Sequence, residues 1–226
     1  MRDTMSFGKT ILFSEMTPPA HEENKFNAWY DEEHIPLRVA IPGFVSAQRY
    51  LADGDDRNYL AVYEMNNPQV LKAKEYDVVK NQPSDLTKSM LSSVSGFTRY
   101  IGNLLGDQWR ENVSNPLDQA QYLYAVFFTV PENELTEFDD WYTQDHVPIL
   151  LECPEWLGTR RFEIIEAHPG RYNRLALHYL TTPEALNSSA RAKARVTPWR
   201  DRLAAKPWFK GHYLVFKNHQ NRQYSK

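Results

Sequence analysis

The sequence has a single cysteine and no long apolar run. Cys153 is alone among 226 residues, so the chain can form no intrachain disulfide and no cysteine-based zinc site. No apolar run reaches transmembrane length, and the N-terminal stretch MRDTMSFGKT lacks the apolar core of a secretory signal. These absences predict a soluble, cytoplasmic protein.

The sequence also lacks an excess of charge of one sign. The formal net charge is -3, which gives no general electrostatic reason to bind nucleic acid or a membrane. A G-x-G-x-x-G loop, a P-loop and a G-x-S-x-G element are all absent. We therefore expect no nucleic-acid or membrane partner, no nucleotide cofactor and no serine hydrolase chemistry.

What the sequence does contain is a repeated motif. The stretch FNAWYDEEHIPL begins at Phe26, and FDDWYTQDHVPI begins at Phe138. The offset of 112 residues between these two starts is also the offset between His34 and His146. Both stretches combine an aromatic pair, an acid, a histidine and a proline at the same spacing.

The correspondence continues beyond the motif. Arg49 matches Arg161 at the same offset of 112 residues. Further on, the stretch NYLAV from Asn58 matches NRLAL from Asn173 at an offset of 115, which a three-residue insertion explains. Matches over so long a stretch with one small gap indicate a tandem duplication.

The hydrophobic periodicity of each copy predicts the element order β-α-β-β-α-β. The predicted strands, one pair for each position in that order, are Lys9–Met16 and Gln121–Val130, Phe44–Leu51 and Trp156–Ile165, Tyr59–Met65 and Leu175–Leu180, and Phe97–Leu105 and Phe209–Phe216. Turn-rich stretches at Asp53–Arg57 and Ala167–Tyr172 separate the second strand from the third in each copy.

The first helix of each copy carries the motif. Apolar residues recur there at three- and four-residue spacing, which predicts one buried helix face. Pro36 and Pro148 are expected to end or kink this helix. A polar stretch rich in Asn, Ser, Pro and Asp follows the first copy, so we predict units at residues 1–106 and 120–226 joined by a linker at residues 107–119.

The Trp-Tyr-x-x-x-His-Ile/Val-Pro element, followed by a Pro-x-Phe/Trp strand, resembles the EthD-like branch of the dimeric α/β-barrel superfamily. The resemblance covers both halves of the chain. It implies an α+β fold in which two tandem ferredoxin-like β-α-β-β-α-β units pack sheet to sheet, here within one chain. Such packing would cover the sheet face that the helices leave bare. A homodimer of fused chains is a further expectation.

His34 and His146 are the candidate catalytic residues. Each is predicted to lie at or just past the C-terminus of its helix, where the helix dipole favours a cation. The preceding acid, Glu33 or Asp145, would add to that preference if its carboxylate came near. We therefore expect both imidazoles to titrate near neutrality, in the range where histidine exchanges protons. Capping of exposed carbonyls, a structural role, is the alternative.

The aromatic residues of the motif are candidate ligand contacts. Trp29 and Trp141 offer flat walls for an aromatic ligand, and they are assigned to substrate binding. Tyr30 and Tyr142 offer hydroxyl groups that can donate a hydrogen bond, and they are assigned to catalysis. The alternative for each Trp-Tyr pair is packing in the core.

Three charged residues on predicted strands are further substrate-binding candidates. An inward guanidinium of Arg49 or Arg161 could hold a carboxylate or a phenolate, and structural ion pairs are the alternative. Glu15 lies in the first apolar strand, where its carboxylate is either a buried base or a strand-end group facing water. Phe127 is its counterpart in the second copy, so if only one half is active, this asymmetry points to the first half.

Two weaker patterns occur in the second copy. His178 and His212 lie on predicted strands and could join His146 at a metal, but no tight ligand spacing such as H-E-x-x-H exists. The basic stretch from Arg191 to Arg202 is best explained as a solvated helix face. We therefore expect no metal.

The resemblance also implies a function. Proteins of this branch include small cofactor-independent cyclases, dehydratases, decarboxylases and isomerases that act on aromatic or polyketide-like molecules. Wider relatives include quinone-forming monooxygenases and haem-binding proteins. We therefore expect a lyase or isomerase of a small aromatic or enolisable metabolite, with no cofactor and with His34 or His146 as general acid or base. A non-catalytic barrel that binds a small molecule or haem is the alternative.

Overall fold

The computed structural model of the protein describes residues 7–54 and 57–226. Asp55 and Asp56, in the predicted turn Asp53–Arg57, lie outside the described residues, as does the start of the N-terminal stretch. No helix in the described part of the chain is long and apolar enough to cross a membrane. Helices and antiparallel strands are both present, so the predicted α+β class is confirmed.

The chain divides into two compact units that are not continuous in sequence. The first contains the described residues up to Asn103, together with Ile165–Pro169 and Asn218–Lys226. The second contains Leu104–Ile164 and Gly170–Lys217. Two short segments from the second half of the sequence, Ile165–Pro169 and Asn218–Lys226, therefore belong to the first unit.

The first unit is built on an antiparallel sheet. Its strands are β1 (Thr10–Met16), β2 (Phe44–Ala52), β3 (Tyr59–Met65) and β4 (Arg99–Trp109). Within the unit, β1 pairs with both β4 and β3, and β3 pairs with β2, which gives the order β4–β1–β3–β2. Phe13 lies opposite Val62 on one side and Tyr100 on the other.

Helices cover one face of this sheet. They are α1 (Glu23–Trp29), a π turn (Tyr30–His34), α2 (Ile35–Val39), α3 (Lys74–Asn81) and α4 (Asp85–Ser93). Alternate residues of β3, including Ala61, Tyr63 and Met65, join the core with Phe26 and Trp29 of α1. This alternation follows from the period of two in a strand, because successive side chains point to opposite sheet faces.

The second unit begins with α5 (Pro116–Gln119) and then has strands and helices in the same order as the first unit. These elements are β5 (Tyr122–Phe128), α6 (Leu135–Trp141), a π turn (Tyr142–His146), α7 (Val147–Leu150), β6 (Trp156–His168), β7 (Arg174–Leu180), α8 (Ser189–Ala194), α9 (Pro198–Ala204) and β8 (His212–Asn218). The pairings β8–β5, β5–β7 and β7–β6 give the order β8–β5–β7–β6. Phe138, Trp141 and Leu203 lie in its core.

Several elements extend beyond their predicted limits. The strand predicted to end at Leu105 continues to Trp109, and the predicted linker contains the helical turn Pro116–Gln119. The backbone N–H of Arg110 donates to the carbonyl of Leu157, so hydrogen bonding keeps this stretch ordered. A short strand, β9 (Gln223–Tyr224), pairs with β2 in the first unit.

Candidate functional site

The repeated motif lies in a helical segment that contains a π turn. In the first unit the N–H of Ile35 donates to the carbonyl of Tyr30, five residues earlier. The N–H of Val147 makes the equivalent bond to Tyr142 in the second unit. The segment then continues into a further turn of α-helix, with Pro36 in its first turn, where a missing N–H is tolerated.

The predicted position of the histidines was therefore wrong. His34 lies at the end of the π turn, inside a helical segment that runs on to Val39, and not at its C-terminus. His146 has the same position in the second unit, where the helix continues to Leu150. π turns are frequent at functional sites because the extra residue re-aims the side chains around it.

The acid of each motif bonds to a neighbouring helix. The Glu33 carboxylate accepts hydrogen bonds from Ser84 Oγ at 2.5 Å and from Thr87 Oγ1 at 2.7 Å. Asp145 accepts one from Thr197 Oγ1 at 2.6 Å. Ser84 and Thr197 are the N-caps of α4 and α9, so the acid links the motif by a hydrogen bond to the N-terminus of a neighbouring helix.

The expectation that both histidines titrate near neutrality was also wrong. Burial lowers the pKa of His34 well below its usual value, and the charges of Arg38 and Arg49 lower it further. Burial likewise lowers the pKa of His146, to about 4, although a hydrogen bond to the Ala194 carbonyl opposes the shift. Both imidazoles are therefore neutral at pH 7.

His34 lines a cavity of about 380 Å³ in the first unit. This volume is within the range of small-molecule sites. The lining is largely apolar and aromatic, and it comprises Leu12, Ser14, Met16, Tyr30, His34, Arg38, Tyr63, Tyr76, Lys80, Leu91, Val94, Phe97 and Arg99. The cavity therefore offers an apolar interior with a small number of polar groups.

Two polar atoms in the wall of this cavity are buried and available to a ligand. Within the described residues, His34 Nδ1 has no hydrogen-bond partner, and Tyr63 Oη meets no hydrogen-bonding group other than the neighbouring Tyr30 hydroxyl. Their residues are 3% and 1% exposed. An unpaired buried atom such as His34 Nδ1 is uncommon in folded proteins and costs roughly 1–3 kcal/mol. Both atoms are thus available to a ligand.

Three cations and no carboxylate line the cavity. Arg38, Lys80 and Arg99 are the basic residues in its wall. Arg38 donates to the backbone carbonyl of His34 at 3.0 Å, and Arg99 forms an ion pair with Glu166. Because no acidic side chain is among the lining residues, the field in the cavity favours an anionic group.

The equivalent pocket of the second unit is much smaller. It has a volume of about 50 Å³ and is lined by Trp141, Tyr142 and His146 of the motif, together with His178 of β7. The Tyr142 hydroxyl lies 2.9 Å from His178 Nε2, so here two lining residues satisfy one another. The same motif therefore faces two very different spaces.

The linings correspond position by position. Leu12 pairs with Ile101 of β4, and its counterpart Tyr124 pairs with Val215 of β8, so Ile101 and Val215 are equivalent. Arg99 and Tyr213 each lie two residues earlier and are therefore equivalent as well. The equivalent pairs that line the two spaces are Leu12 and Tyr124, Ser14 and Val126, Met16 and Phe128, Tyr30 and Tyr142, His34 and His146, Arg38 and Leu150, Tyr63 and His178, Tyr76 and Arg191, Lys80 and Arg195, and Arg99 and Tyr213. Larger side chains at several positions reduce the volume of the second pocket.

The two candidate arginines are engaged in ion pairs. Arg49 is 1% exposed and bonds Asp31 at 2.7 Å and Asn27 at 2.6 Å. Arg161 bonds Thr143 Oγ1 at 2.5 Å and lies 3.6 Å from Asp139. Neither lines the pocket beside its histidine, and the ion pairs match the structural alternative.

The remaining candidates lie outside the large cavity or beside the small one. Trp29 donates from Nε1 to Thr87 Oγ1 at 2.8 Å and packs at a tilted angle against His34, with ring centroids 4.3 Å apart. Trp141 lines the small pocket. The Glu15 carboxylate is 6% exposed and accepts hydrogen bonds from Asn58 and Thr98, which explains its place in an apolar strand.

The cavity contains residues that the sequence did not single out. Tyr63 was placed on a predicted strand, and alternation in that strand puts it on the core face. Its equivalence to His178 at the offset of 115 was the available signal, because both positions carry a polar ring. Arg38, Lys80 and Arg99 carried no signal, because they come from three separate elements.

Neither a protein-family model nor the sequence of a curated protein matches the chain. Solved structures match over nearly its whole length. An anthrone oxidase-like protein aligns with a TM-score of 0.66 and 12% identity, covering 96% of this chain and 94% of that chain. Chlorite dismutase from Candidatus Nitrospira defluvii aligns with a TM-score of 0.60 and 9% identity, covering 97% and 95%. A proposed monooxygenase from Fusobacterium nucleatum aligns with a TM-score of 0.59 and 11% identity, covering 98% of both.

These proteins belong to the dimeric α+β-barrel superfamily. The chain has the dimeric α+β-barrel fold. At such low identity the likeness shows the fold alone, and it does not transfer an activity to this barrel protein. The resemblance to the superfamily is therefore confirmed at the level of fold.

The barrel's residues do not fit haem. An axial histidine normally donates its second ring nitrogen to a carbonyl or carboxylate, and His34 Nδ1 has no such partner in the described residues. His146 Nδ1 lies 3.4 Å from the Ala194 carbonyl, but its pocket of about 50 Å³ has no room for a macrocycle. His212, from the metal alternative, is exposed and stacks on Tyr172. The described residues contain no group of three or more metal-ligating side chains.

Proposed function

We propose that the first unit is an enzyme site that transfers a proton on a small, anionic, aromatic or enolisable metabolite without a cofactor. The cavity of about 380 Å³, with the unpartnered His34 Nδ1 and the buried hydroxyls of Tyr30 and Tyr63 in its wall, carries this proposal. A ligand that bonds His34 Nδ1 would recover the cost of leaving it unpaired. The apolar lining would bind the carbon skeleton.

His34 is the proposed general base. Burial lowers its pKa, so the imidazole is neutral at pH 7 and has a free lone pair. The same burial disfavours the imidazolium. A proton taken from the ligand is therefore held only while the ligand carries the matching negative charge, as an enolate or phenolate beside the ring. Return of that proton to another ligand atom completes an isomerisation or an elimination.

Tyr30 and Tyr63 are the proposed hydrogen-bond donors to the oxygen that gains charge. Burial raises the pKa of the Tyr30 hydroxyl and raises that of Tyr63 well above its usual value. Both phenols therefore stay protonated at pH 7. A donor fixed in a dry site stabilises a developing oxyanion more than water does.

Arg38 and Lys80 are proposed to hold the acidic group of the ligand. They line the cavity, and Arg99, the third cation there, already pairs with Glu166. Arg38 also lies 6.0 Å from the centroid of the Tyr63 ring, so its charge is close to the proposed oxyanion donor. A ligand with a carboxylate or a phenolate would match this distribution.

A second candidate uses the same first step. The matched structures include an anthrone oxidase-like protein and a proposed monooxygenase, which favours oxidation of the ionised ligand by O₂. In that reaction a CH₂ group becomes a carbonyl, and the second oxygen atom leaves as water. The proton abstraction assigned to His34 would precede it in either case.

We also infer that the two units arose by tandem duplication of a ferredoxin-like unit, at residues 1–106 and 120–226, within the EthD-like branch. The orders β4–β1–β3–β2 and β8–β5–β7–β6 are the same order of equivalent strands. The repeated π turn and the matching pocket linings support the same origin. Assembly of the chain into a homodimer remains a prediction.

The test is a turnover screen of the whole chain and two matched variants. Wild type, His34→Gln and His146→Gln would be incubated with a pool of aromatic and enolisable acids, in air and under nitrogen, and analysed by mass spectrometry. We expect product with wild type and with His146→Gln, and about 10²–10⁴ times less with His34→Gln. Product only in air would select the oxidation.

Two outcomes would contradict the proposal. Full turnover by His34→Gln would remove the histidine from the mechanism. A compound retained unchanged through gel filtration by wild type, with no product, would identify a binding protein instead.

A further inference from the structure

The small pocket of the second unit has an unusual set of charges. Its volume of about 50 Å³ is too small for a metabolite and sufficient for one or a few water-sized species. Arg191, Arg195 and Arg200 line it, and no Asp or Glu does. Burial chiefly lowers the pKa of His146, also in this pocket, and the charges of the same three arginines lower it further. The pocket is therefore electropositive.

The hydrogen bonds of His178 fix its tautomer. The indole N–H of Trp156 can only donate, and it donates to His178 Nδ1 at 3.2 Å. Thr159 Oγ1 lies 2.8 Å from the same nitrogen. Burial lowers the pKa of His178 well below its usual value, so the ring is neutral. Its single proton must then be on Nε2.

This tautomer determines the role of Tyr142. His178 Nε2 donates to the Tyr142 oxygen at 2.9 Å, so the tyrosine accepts that bond and keeps its own proton for another acceptor. No such acceptor lies within hydrogen-bond distance in the described part of the chain. Tyr142 is 3% exposed and lines the pocket.

Trp141 and Arg191 supply further donors. Among the described residues Trp141 Nε1 has no hydrogen-bond partner, although its side chain is 2% exposed and lines the pocket. Arg191 uses one N–H on the Leu186 carbonyl at 2.8 Å, and a guanidinium has five. Donors outnumber acceptors in this pocket.

We propose that this pocket is a binding site for a small monovalent anion of the size of chloride or formate. The Tyr142 O–H and the Trp141 N–H are its neutral donors, and Arg191 supplies the charge. The site is separate from the proton-transfer site proposed in the first unit, and anion binding needs no turnover. Its occupant would satisfy two buried donors that the protein leaves unpaired.

The test is anion-dependent thermal stability of the whole chain at constant ionic strength. Chloride, formate and nitrate should raise the Tm with saturation, because a ligand that binds only the folded state stabilises it. Benzoate should not, because its aromatic ring exceeds the pocket. Tyr142→Phe should weaken chloride binding about 10-fold or more, since it removes a hydrogen bond to a charged group. Arg191→Met should abolish the effect.

Two controls keep the result specific. Arg202→Gln removes an equal charge from the same region, on an exposed residue, and should leave the chloride response unchanged. If Arg191→Met does not fold, Arg191→Lys tests the same site, because lysine keeps the positive charge and lacks the planar set of N–H donors of a guanidinium. Equal responses to benzoate and chloride, or a wild-type chloride response in Tyr142→Phe, would overturn the proposal.

Discussion

The two units carry the same motif in the same π turn, yet they enclose different spaces. The cavity beside His34 is about 380 Å³, and the pocket beside His146 is about 50 Å³. The difference comes from positions outside the motif. Tyr124 of β5, at the position of Leu12 in the first unit, is one of the larger side chains that fill the second pocket.

This comparison separates what the motif does from what its surroundings do. The aromatic pair packs in the core in both units, and in both the acid accepts a hydrogen bond from the N-cap residue of a neighbouring helix. These are folding roles, which both copies need. Space for a ligand and unpaired polar groups at its wall depend on neighbouring strands and helices, and only the first unit combines a large space with them.

The largest predicted effect concerns the two equivalent arginines. Arg49→Met should reduce the free energy of unfolding by about 3–5 kcal/mol, because it leaves Asp31 without its buried partner. Arg161→Met should cost only about 1 kcal/mol, because Arg174 still pairs with Asp139 at 3.0 Å. Urea unfolding of the two variants measures the difference. Equal losses would show that the two ion pairs are energetically equivalent.

Exchanging one side chain between the linings should reverse part of the asymmetry. Leu12→Tyr imports the side chain of the second unit and should lower ligand affinity in the first unit by about 100-fold, through lost space. The reverse change, Tyr124→Leu, should open the second pocket and cost about 1–3 kcal/mol of stability. Calorimetric titration and urea unfolding measure these effects. Unchanged affinity in Leu12→Tyr would place the ligand elsewhere.

The pH dependence of stability should report His34 and His146, with a further contribution from the buried His178. The pKa of His146 is about 4 in the folded protein and about 6.5 when unfolded, so the unfolded state binds more protons between these values. The contribution of His146 to stability is therefore complete above about pH 6.5 and falls by on the order of 2–3 kcal/mol as the pH drops to 4. His146→Gln should reduce the dependence of the free energy of unfolding on pH between these values.

His34→Gln should reduce this pH dependence at least as much, because the pKa of the His34 imidazole is lowered well below its usual value. Unfolding measured at several pH values tests both variants. An unchanged slope in either one would mean that its imidazole is accessible to protons in the folded protein.

The smallest effect concerns the acids of the motif. Glu33→Gln and Asp145→Asn should each cost about 1 kcal/mol, because they weaken charge-assisted bonds to Ser84, Thr87 and Thr197. Neither should change the titration of the following histidine, which NMR of the imidazole Cε1–H can follow. A clear shift of that titration would restore the predicted interaction between acid and histidine.

The sequence predicted much of the fold and only part of the site. Hydrophobic alternation located the strands because burial of one sheet face imposes a period of two, and β1, β3 and β7 lie within one or two residues of their predictions. The π turn was missed because hydrophobic pattern does not record which carbonyl a backbone N–H reaches. His34 was found through the repeat, whereas Tyr63 was hidden among core residues.

The sequence by itself determined the repeat, the α+β class and the position of a histidine on the helix of each unit. These follow from local periodicity and from similarity between two stretches of one chain. The tertiary structure decided which histidine faces a large cavity, which arginines are engaged by carboxylates and which polar atoms stay unpaired. Those properties depend on volumes and distances among side chains from separate elements, and a linear pattern does not contain them.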